Sequence, residues 1–129
     1  MYNIRRYHNR ILHPEKICYI APRVSLEIDD YGNEIPTYGK PKRYNMNIMP
    51  AGGGLDIATY GERLSYIYKA IVDYDSYYGK INEGDIAYLH GAKPDGETSE
   101  SYGENGNYLV ESVRIQNTVI AIYFERLQK

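Results

Sequence analysis

Hydrophobic residues along this chain come in short runs rich in Ile, Val and Tyr, and polar or glycine-rich segments separate the runs. No long stretch repeats apolar residues at the i, i+3, i+4 and i+7 spacing of an amphipathic helix. Short runs of β-branched and aromatic residues are typical of β-strands. The pattern predicts an all-β fold, a small antiparallel β-barrel or sandwich of about six to eight short strands with long loops.

Seven runs stand out as strand candidates. They are Ile17–Ala21, Val24–Ile28, Lys42–Met49, Tyr66–Asp73, Asp85–Leu89, Tyr108–Val113 and Thr118–Glu125. Residues 29–33 predict a turn, because Asp, Gly and Asn accept left-handed backbone angles. The stretch from there to Pro41 contains Pro36 and Gly39, so it is predicted to be a loop. Leu55–Tyr60 fits either a short strand or a single turn.

Tyrosine is the unusual residue, with 16 copies against one Phe and no Trp. Its ring combines an apolar face with a polar tip, which suits both half-buried sheets and protein interfaces. The tyrosines are therefore read either as an ordinary β core or as a subunit interface. The interface candidates are Tyr66, Tyr68, Tyr108 and Tyr123. Thr118–Glu125 is apolar on both faces, which predicts the centre of a barrel wall or a contact with a neighbouring subunit.

Composition narrows the class of protein. The formal net charge is −2, from 15 basic and 17 acidic residues, so tight non-specific nucleic-acid binding is not expected. Cys18 is the one cysteine and cannot form an intramolecular disulfide. No apolar run approaches the roughly 20 residues of a membrane helix, so no membrane partner is expected. Residues 1–14 are predicted to be a polar arm that a partner orders, and residues 15–129 a single β-barrel domain.

The residues that could carry chemistry do not form a recognisable site. His8 and His13 are five residues apart rather than four, and no second cysteine accompanies Cys18 in a zinc pattern. Gly32–Lys40 has the wrong spacing for a phosphate loop. We therefore predict no catalytic residue, no metal site, no cofactor and no enzyme activity. A small hydrolase is the weakest interpretation, because no nucleophile–base pair is visible.

Two polar segments are candidate partner or lumen loops. The first surrounds the predicted turn and offers Asp29, Asp30, Tyr31, Asn33 and Glu34. The second, Gly91–Asn107, is predicted to be long and flexible. It carries the acids Asp95, Glu97, Glu100 and Glu104. The plainest interpretation of those acids is a solvated loop that is kept soluble by its charge.

Three blocks of sequence resemble the head-closure (stopper) and head–tail joining proteins of long-tailed bacteriophages. The first runs from Ile28 to Glu34 and continues with Tyr38-Gly39-x-Pro41. The second is Asn45-x-Asn47-Ile48-x-Pro50-Ala51-Gly52-Gly53, followed by Tyr60-Gly61. The third comprises Glu83–Leu89, Asn107-Tyr108-x-Val110-x-Ser112-Val113, Gln116-Asn117 and Ile120–Phe124. Their order and spacing cover residues 28–127.

The resemblance implies a structural virion protein, made in the bacterial host cytoplasm and built into the head–tail junction. Proteins of this family are small β-barrels that assemble on a template as a ring homo-oligomer. Implied partners are the portal or adaptor ring, and the tail terminator or tail tube proteins. Genomic DNA would pass through the lumen without specific binding, and in some members a loop closes the channel. The family's motif marks strands and turns, so it carries over no catalytic residues.

The resemblance leads to an expectation about the two loops. One of them, Asp29–Pro41 or Gly91–Asn107, would point toward the lumen or a neighbouring ring. Deleting residues 95–104 would then spare folding of the monomer and impair virion assembly or DNA retention. Two alternatives remain, a tail-terminator or tail-completion protein, and an unrelated Tyr-rich β-domain that binds carbohydrate or peptide.

Overall fold

A computed structural model describes residues 16–128 as strands with a few short helices. The strands are β1 (Ile17–Ala21), β2 (Arg23–Ile28), β3 (Glu34–Tyr38), β4 (Lys42–Asn45), β5 (Ile48–Pro50), β6 (Ile67–Asp73), β7 (Ile86–Tyr88), β8 (Tyr108–Gln116) and β9 (Val119–Arg126). The helices are α1 (Gly54–Tyr60), a 3₁₀ helix (Gly61–Tyr66) and α2 (Tyr74–Tyr77). The predicted all-β class is confirmed.

Seven strands form one antiparallel sheet in the order β4-β1-β7-β8-β9-β6-β5, while β2 and β3 form a separate two-stranded sheet. The large sheet is not closed into a barrel. Its edge strands β4 and β5 run in the same direction and are joined by Met46 and Asn47 alone. Parallel neighbours need a crossover of about a dozen residues, so these two strands cannot pair side by side. The sheet instead curls until its edges lie within about 11 Å of each other at this link.

The link also corrects the prediction of one continuous strand over Lys42–Met49. The chain leaves one edge of the sheet after Asn45 and enters the opposite edge at Ile48. Met46 is buried at the crossing and belongs to the main core. Apolar and polar residues continue to alternate through the crossing, from Tyr44 to Ile48. The sequence pattern therefore did not reveal the break between the two strands.

The main core fills the inside of the curled sheet. Its fully buried side chains include Ile20, Val110, Ile122 and Phe124. Strand β9 is central, because it pairs with β6 on one side and β8 on the other. Strand β9, which was predicted to lie at the centre of a barrel wall or against a neighbouring subunit, lies in the interior of this open sheet.

The outer face of β9 is covered by the chain itself. Ala121 and Tyr123 pack with Tyr60 and Ile67 in a second buried cluster beneath α1 and the 3₁₀ helix. Helix α1 resolves the ambiguity over Leu55–Tyr60, with Asp56 and Tyr60 turned inward. These two residues are four apart and therefore share one helix face. The apolar outer face of β9 thus needs no neighbouring subunit to explain it.

The prediction of a loop between the turn and Pro41 is wrong over residues 34–38. These residues form β3, which pairs with β2 from Ile28↔Glu34 to Arg23↔Tyr38. Pro36 disfavours a central strand, but an isolated hairpin has open edges on which proline is tolerated. Strand β3 therefore forms despite a sequence that is typical of a loop.

Two predictions concern the ends and the membrane. The arm predicted for residues 1–14 lies outside the described residues. Within residues 16–128, every helix is too short or too polar to span a membrane.

Candidate interaction surfaces

The β2–β3 hairpin projects from the large sheet and buries almost none of its side chains. Every residue of β2 is exposed, as is all of β3 except Tyr38. Hydrophobic residues are exposed with the rest, and Ile28 is 69% and Tyr31 91% exposed. Leu26 and Ile28 are two residues apart in the strand and therefore lie on the same face of the hairpin. Exposed apolar residues grouped on one face are typical of an interaction site.

The tip of the hairpin is a well-formed turn. Asp29 Oδ1 accepts hydrogen bonds from the amides of Tyr31 and Asn33, both at 2.9 Å. The hydrogen bond from the Asn33 amide, followed by those from Tyr31 and the Asn33 side chain, lowers the pKa of Asp29. Asp29 and Asn33 therefore hold the turn. Asp30 and Glu34, in contrast, have exposed side chains that make no bond within the described chain.

The root of the hairpin is fixed to the body. The Arg23 amide donates to Oδ1 of buried Asp85 at 2.9 Å, and the Gly39 amide donates to the Pro22 carbonyl at 2.8 Å. Burial raises the pKa of Asp85, although the hydrogen bonds from the Arg23 and Asn82 amides oppose that shift. Tyr38 packs against the buried cluster beneath. The hairpin is thus an exposed arm on an anchored base.

The loop over residues 91–107 behaves differently, because Glu97 is turned inward. The hydroxyl of buried Tyr88 donates to the Glu97 carboxylate at 2.7 Å. The amides of Gly103 and Asn105 donate to the same carboxylate at 3.2 and 3.0 Å. Burial, followed by the bond to Glu97, raises the pKa of Tyr88 above its usual range, which keeps the hydroxyl protonated as a donor. Glu97 is therefore a structural anchor.

A second tie closes the base of this loop. Asn107 accepts from the Leu89 amide and donates to the Leu89 carbonyl, both at 2.9 Å. Gly106 is packed so closely against Ile86 that a β-carbon there would lie 2.0 Å from the isoleucine side chain. Asp95, Glu100 and Glu104 are exposed. Glu97 is the one of the four predicted acids that is not exposed.

A cleft of about 520 Å³ separates the hairpin root from this loop. Its walls include Tyr38 from the hairpin and Tyr102 and Glu100 from the loop, and Ile86 and Leu127 line it as well. Aromatic and apolar walls with a few polar groups are typical of small ligand sites. Residues of both predicted loop regions line this cleft.

The four interface tyrosines fall into two groups. Tyr108 and Tyr123 are each 4% exposed and are packed in the chain's own core clusters. Their burial leaves little surface for a neighbouring copy. Tyr66 is 36% exposed beneath the Arg126 guanidinium, and half-buried Tyr68 packs edge-on against Tyr108. If tyrosines contribute to an interface, Tyr66 and Tyr68 are the ones with accessible surface.

Sequence reasoning missed a buried polar cluster on the outer face of the sheet. Asp56 accepts from Lys69 Nζ at 2.9 Å, from the Tyr123 hydroxyl at 2.8 Å and from the Gly52 amide at 3.0 Å. Burial alone would raise the pKa of Asp56, but these hydrogen bonds and the Lys69 charge hold it below its usual value. The signal available in the sequence was an acid two residues after the glycine bend. The cluster clamps α1 to the sheet.

A basic edge strand was missed as well. Lys40, Lys42 and Arg43 are exposed and fall within four residues of one another at β4. None of them forms an ion pair with any part of residues 16–128. Strand β4 pairs with β1 alone, so its outer edge has no strand partner among the described residues.

Two observations concern side chains that could carry chemistry. Burial raises the pKa of Cys18 to about 12, which disfavours the nucleophilic thiolate. Within residues 16–128, no three His, Cys, Asp or Glu side chains are grouped to hold a metal ion.

Comparisons with known proteins give no relative: no family model, curated protein or solved structure matches this chain.

Proposed function

We propose that this chain is a structural virion protein that assembles as a ring in the head–tail connector of a long-tailed bacteriophage. The ring would join the portal complex to the tail and help to close the head and retain DNA. Its partners would be copies of itself, the portal or adaptor ring, and the tail terminator or tail tube proteins. The chain would perform no catalysis and need no cofactor.

The observation that carries the proposal is the β2–β3 hairpin. An anchored root and an exposed, partly apolar arm are what a subunit needs to reach a second subunit without disturbing its own fold. An isolated two-stranded hairpin is at best marginally stable in water. A partner that covers Leu26 and Ile28 would supply the burial that the monomer does not.

Each of the three resembling blocks falls on an identifiable part of the fold. The first covers the tip of the hairpin and continues past its root. The second covers the β4–β5 crossing and the bend into α1. The third covers the entry to β7 and the β8–β9 pair. The resemblance thus follows the architecture of this chain and does not depend on a single local motif.

The charge of the chain is compatible with a channel through which DNA slides. A net charge of −2 gives no general attraction to phosphates. Closing the channel would need a segment that projects inward from each subunit. The hairpin is exposed from Arg23 to Ile28 and from Glu34 to Thr37, whereas Glu97 holds the loop at residues 91–107 against the body. We therefore favour the hairpin for this role.

Electron microscopy tests the proposal. The purified chain would be mixed with the portal complex encoded by the same phage genome, and we expect a ring of this chain docked at the base of the portal. A portal that remains bare at saturating concentrations of the chain would contradict the proposal. Binding to tail tubes instead would favour the tail-completion alternative.

The cleft between hairpin and loop favours one second candidate, a domain that binds carbohydrate or peptide. Tyr38 and Tyr102 provide aromatic walls and Glu100 a hydrogen-bond acceptor. Calorimetric titration with oligosaccharide and peptide pools would test it. Saturable binding that Tyr102→Ala abolishes would support this candidate, and no heat with any pool would count against it.

A further inference from the structure

The hairpin has an acidic distal half. Glu27, Asp30 and Glu34 are exposed, and no Lys or Arg lies between residues 24 and 39. The described ion pairs join Arg63 to Glu111 and Glu125, and Lys69 to Asp56. The three hairpin acids have no such partner within residues 16–128. Their negative charges therefore face solvent, close to the exposed side chains of Leu26 and Ile28.

The edge at β4 has the opposite charge. Lys40, Lys42 and Arg43 form a basic strip there, on a strand whose outer edge is unpaired within the described chain. Apolar surface adjoins the strip, because the ring of Tyr77 lies 5.9 Å from that of Tyr44 in β4. Tyr77 also lines a groove with largely exposed Tyr78 and Ile115.

The acidic and basic surfaces do not meet within one chain. Glu34 and Tyr38 are the two ends of β3, which at about 3.3 Å per residue separates them by roughly 13 Å. Strand β4 begins only after the root of the hairpin, and no strand outside the hairpin pairs with β2 or β3. Among residues 16–128, the complementary charges are therefore left for another molecule to satisfy.

We infer that the β2–β3 hairpin of one copy of this chain docks on the β4 edge of a second copy, acids against Lys42 and Arg43 and the apolar face against the neighbouring groove. The two surfaces differ, so the contact is head-to-tail, and head-to-tail contacts generate rings or filaments. This inference rests on the proposed function, which requires copies of this chain to assemble, and it assigns the surfaces through which those copies would meet.

Charge reversal in matched variants tests the docking. One variant carries Glu27→Lys, Asp30→Lys and Glu34→Lys, and the other carries Lys42→Glu and Arg43→Glu. Sedimentation of the full-length native chain up to about 1 mM is expected to detect weak self-association. Each variant alone should weaken that association by at least about tenfold, because like charges then face each other. An equimolar mixture of the two should recover it, since each reversed surface finds an opposite charge.

Single substitutions provide the control for apolar contact. Ile28→Ser should weaken self-association, whereas Ile57→Ser, at a similarly exposed position on α1, should leave it unchanged. A native chain that remains monomeric at about 1 mM would overturn the inference. So would a mixture of the charge variants that associates no better than either one alone.

Cross-linking gives an independent readout. The only native thiol, Cys18, is buried, so it should contribute little cross-linking beside that of the introduced cysteines. Asp30→Cys mixed with an affinity-tagged Arg43→Cys should give a disulfide-linked heterodimer in excess of either homodimer. Glu62→Cys, on the exposed 3₁₀ helix, replaces Asp30→Cys in the control and should give none. Equal yields from the control pair would overturn the docking.

The two proposals fail separately. A ring on the portal without cross-links between positions 30 and 43 would leave the proposed function standing and overturn the docking. Assemblies that cross-link between positions 30 and 43 but never bind a portal would support the docking and contradict the connector function.

Discussion

The hairpin at residues 23–38 and the loop at residues 91–107 have similar sequence character and opposite structural behaviour. Both are acidic and rich in turn residues. The candidate loops predicted from the sequence, Asp29–Pro41 and Gly91–Asn107, overlap them. The loop is drawn onto the sheet by Glu97 and closed at its base by Asn107. The hairpin leaves the sheet at its root and returns without pairing with a strand of the large sheet.

The difference lies in where the carboxylates find donors. Glu97 accepts from Tyr88 and two backbone amides, and Asp56 accepts from three donors of the same chain. Asp30 and Glu34 have no donor within the described chain. An acid that is satisfied internally fixes its segment to the fold, while an unsatisfied exposed acid remains available to another molecule. The following predictions test this distinction.

The largest effect is expected at Asp56. Asp56→Ala leaves the Lys69 ammonium and the Tyr123 hydroxyl without their acceptor, so it should lower the free energy of unfolding by about 3 kcal/mol. Urea denaturation measures the loss. Asp75→Ala, at an exposed acid, is the control and should stay within about 0.5 kcal/mol of the native chain. Equal effects at both positions would remove the distinction between inward and outward acids.

A somewhat smaller effect is expected at Glu97. Glu97→Ala removes the acceptor of Tyr88 and of two amides, but the exposed loop can open and let water reach them. We expect a loss of about 2 kcal/mol and faster proteolysis within residues 91–107. Glu100→Ala changes a neighbouring exposed acid and should alter neither measurement. Deleting residues 95–104 also removes Glu97, so, contrary to the expectation from sequence, it should destabilise the monomer.

The pH dependence of stability separates the contribution of the Asp56 charge from the contribution of the shape of its side chain. The pKa of Asp56 is lowered in the folded chain, so its stabilising contribution is complete above the ordinary value of 3.8. That contribution is lost as the pH falls through the lower folded value. The difference in unfolding free energy between the native chain and Asp56→Asn should therefore narrow from about pH 5 to about pH 2. A constant difference would mean that the charge contributes nothing.

The smallest effect on stability is expected from shortening the hairpin. Replacing residues 26–36 with Asn-Gly, a favoured two-residue hairpin turn, would close the strands between Ser25 and Thr37. Because the removed side chains are exposed, the unfolding free energy should change by less than about 1 kcal/mol. A loss as large as that of Asp56→Ala would show that the hairpin belongs to the core of the fold.

Several elements could be predicted from sequence because local signals agreed with the final structure. Alternating apolar residues identified β6, β8 and β9, and the Asp29–Asn33 turn was confirmed. The run over Lys42–Met49 was misread as one strand, since alternation does not report which neighbour a strand pairs with. Residues 34–38 were misread as a loop, because Pro36 carries a strong local signal and β3 depends on its pairing with β2.

The candidate surfaces were predicted less completely. The polar segments were found, because turn residues and charges are visible one by one along the chain. Glu97 and the interface candidates Tyr108 and Tyr123 turned inward through contacts with residues distant in sequence. The basic strip at β4 was overlooked, since the sequence does not reveal that Lys40, Lys42 and Arg43 lie at an unpaired edge of the sheet.

The order of apolar and polar residues by itself determined an all-β chain with polar turns and a single unpaired cysteine. These properties follow from side-chain alternation and composition, which are local. Tertiary structure alone decided that the sheet curls without closing and which acids face inward. Those outcomes depend on strand order and on donors many residues away, and a carboxylate is satisfied or left exposed only once those donors are in place.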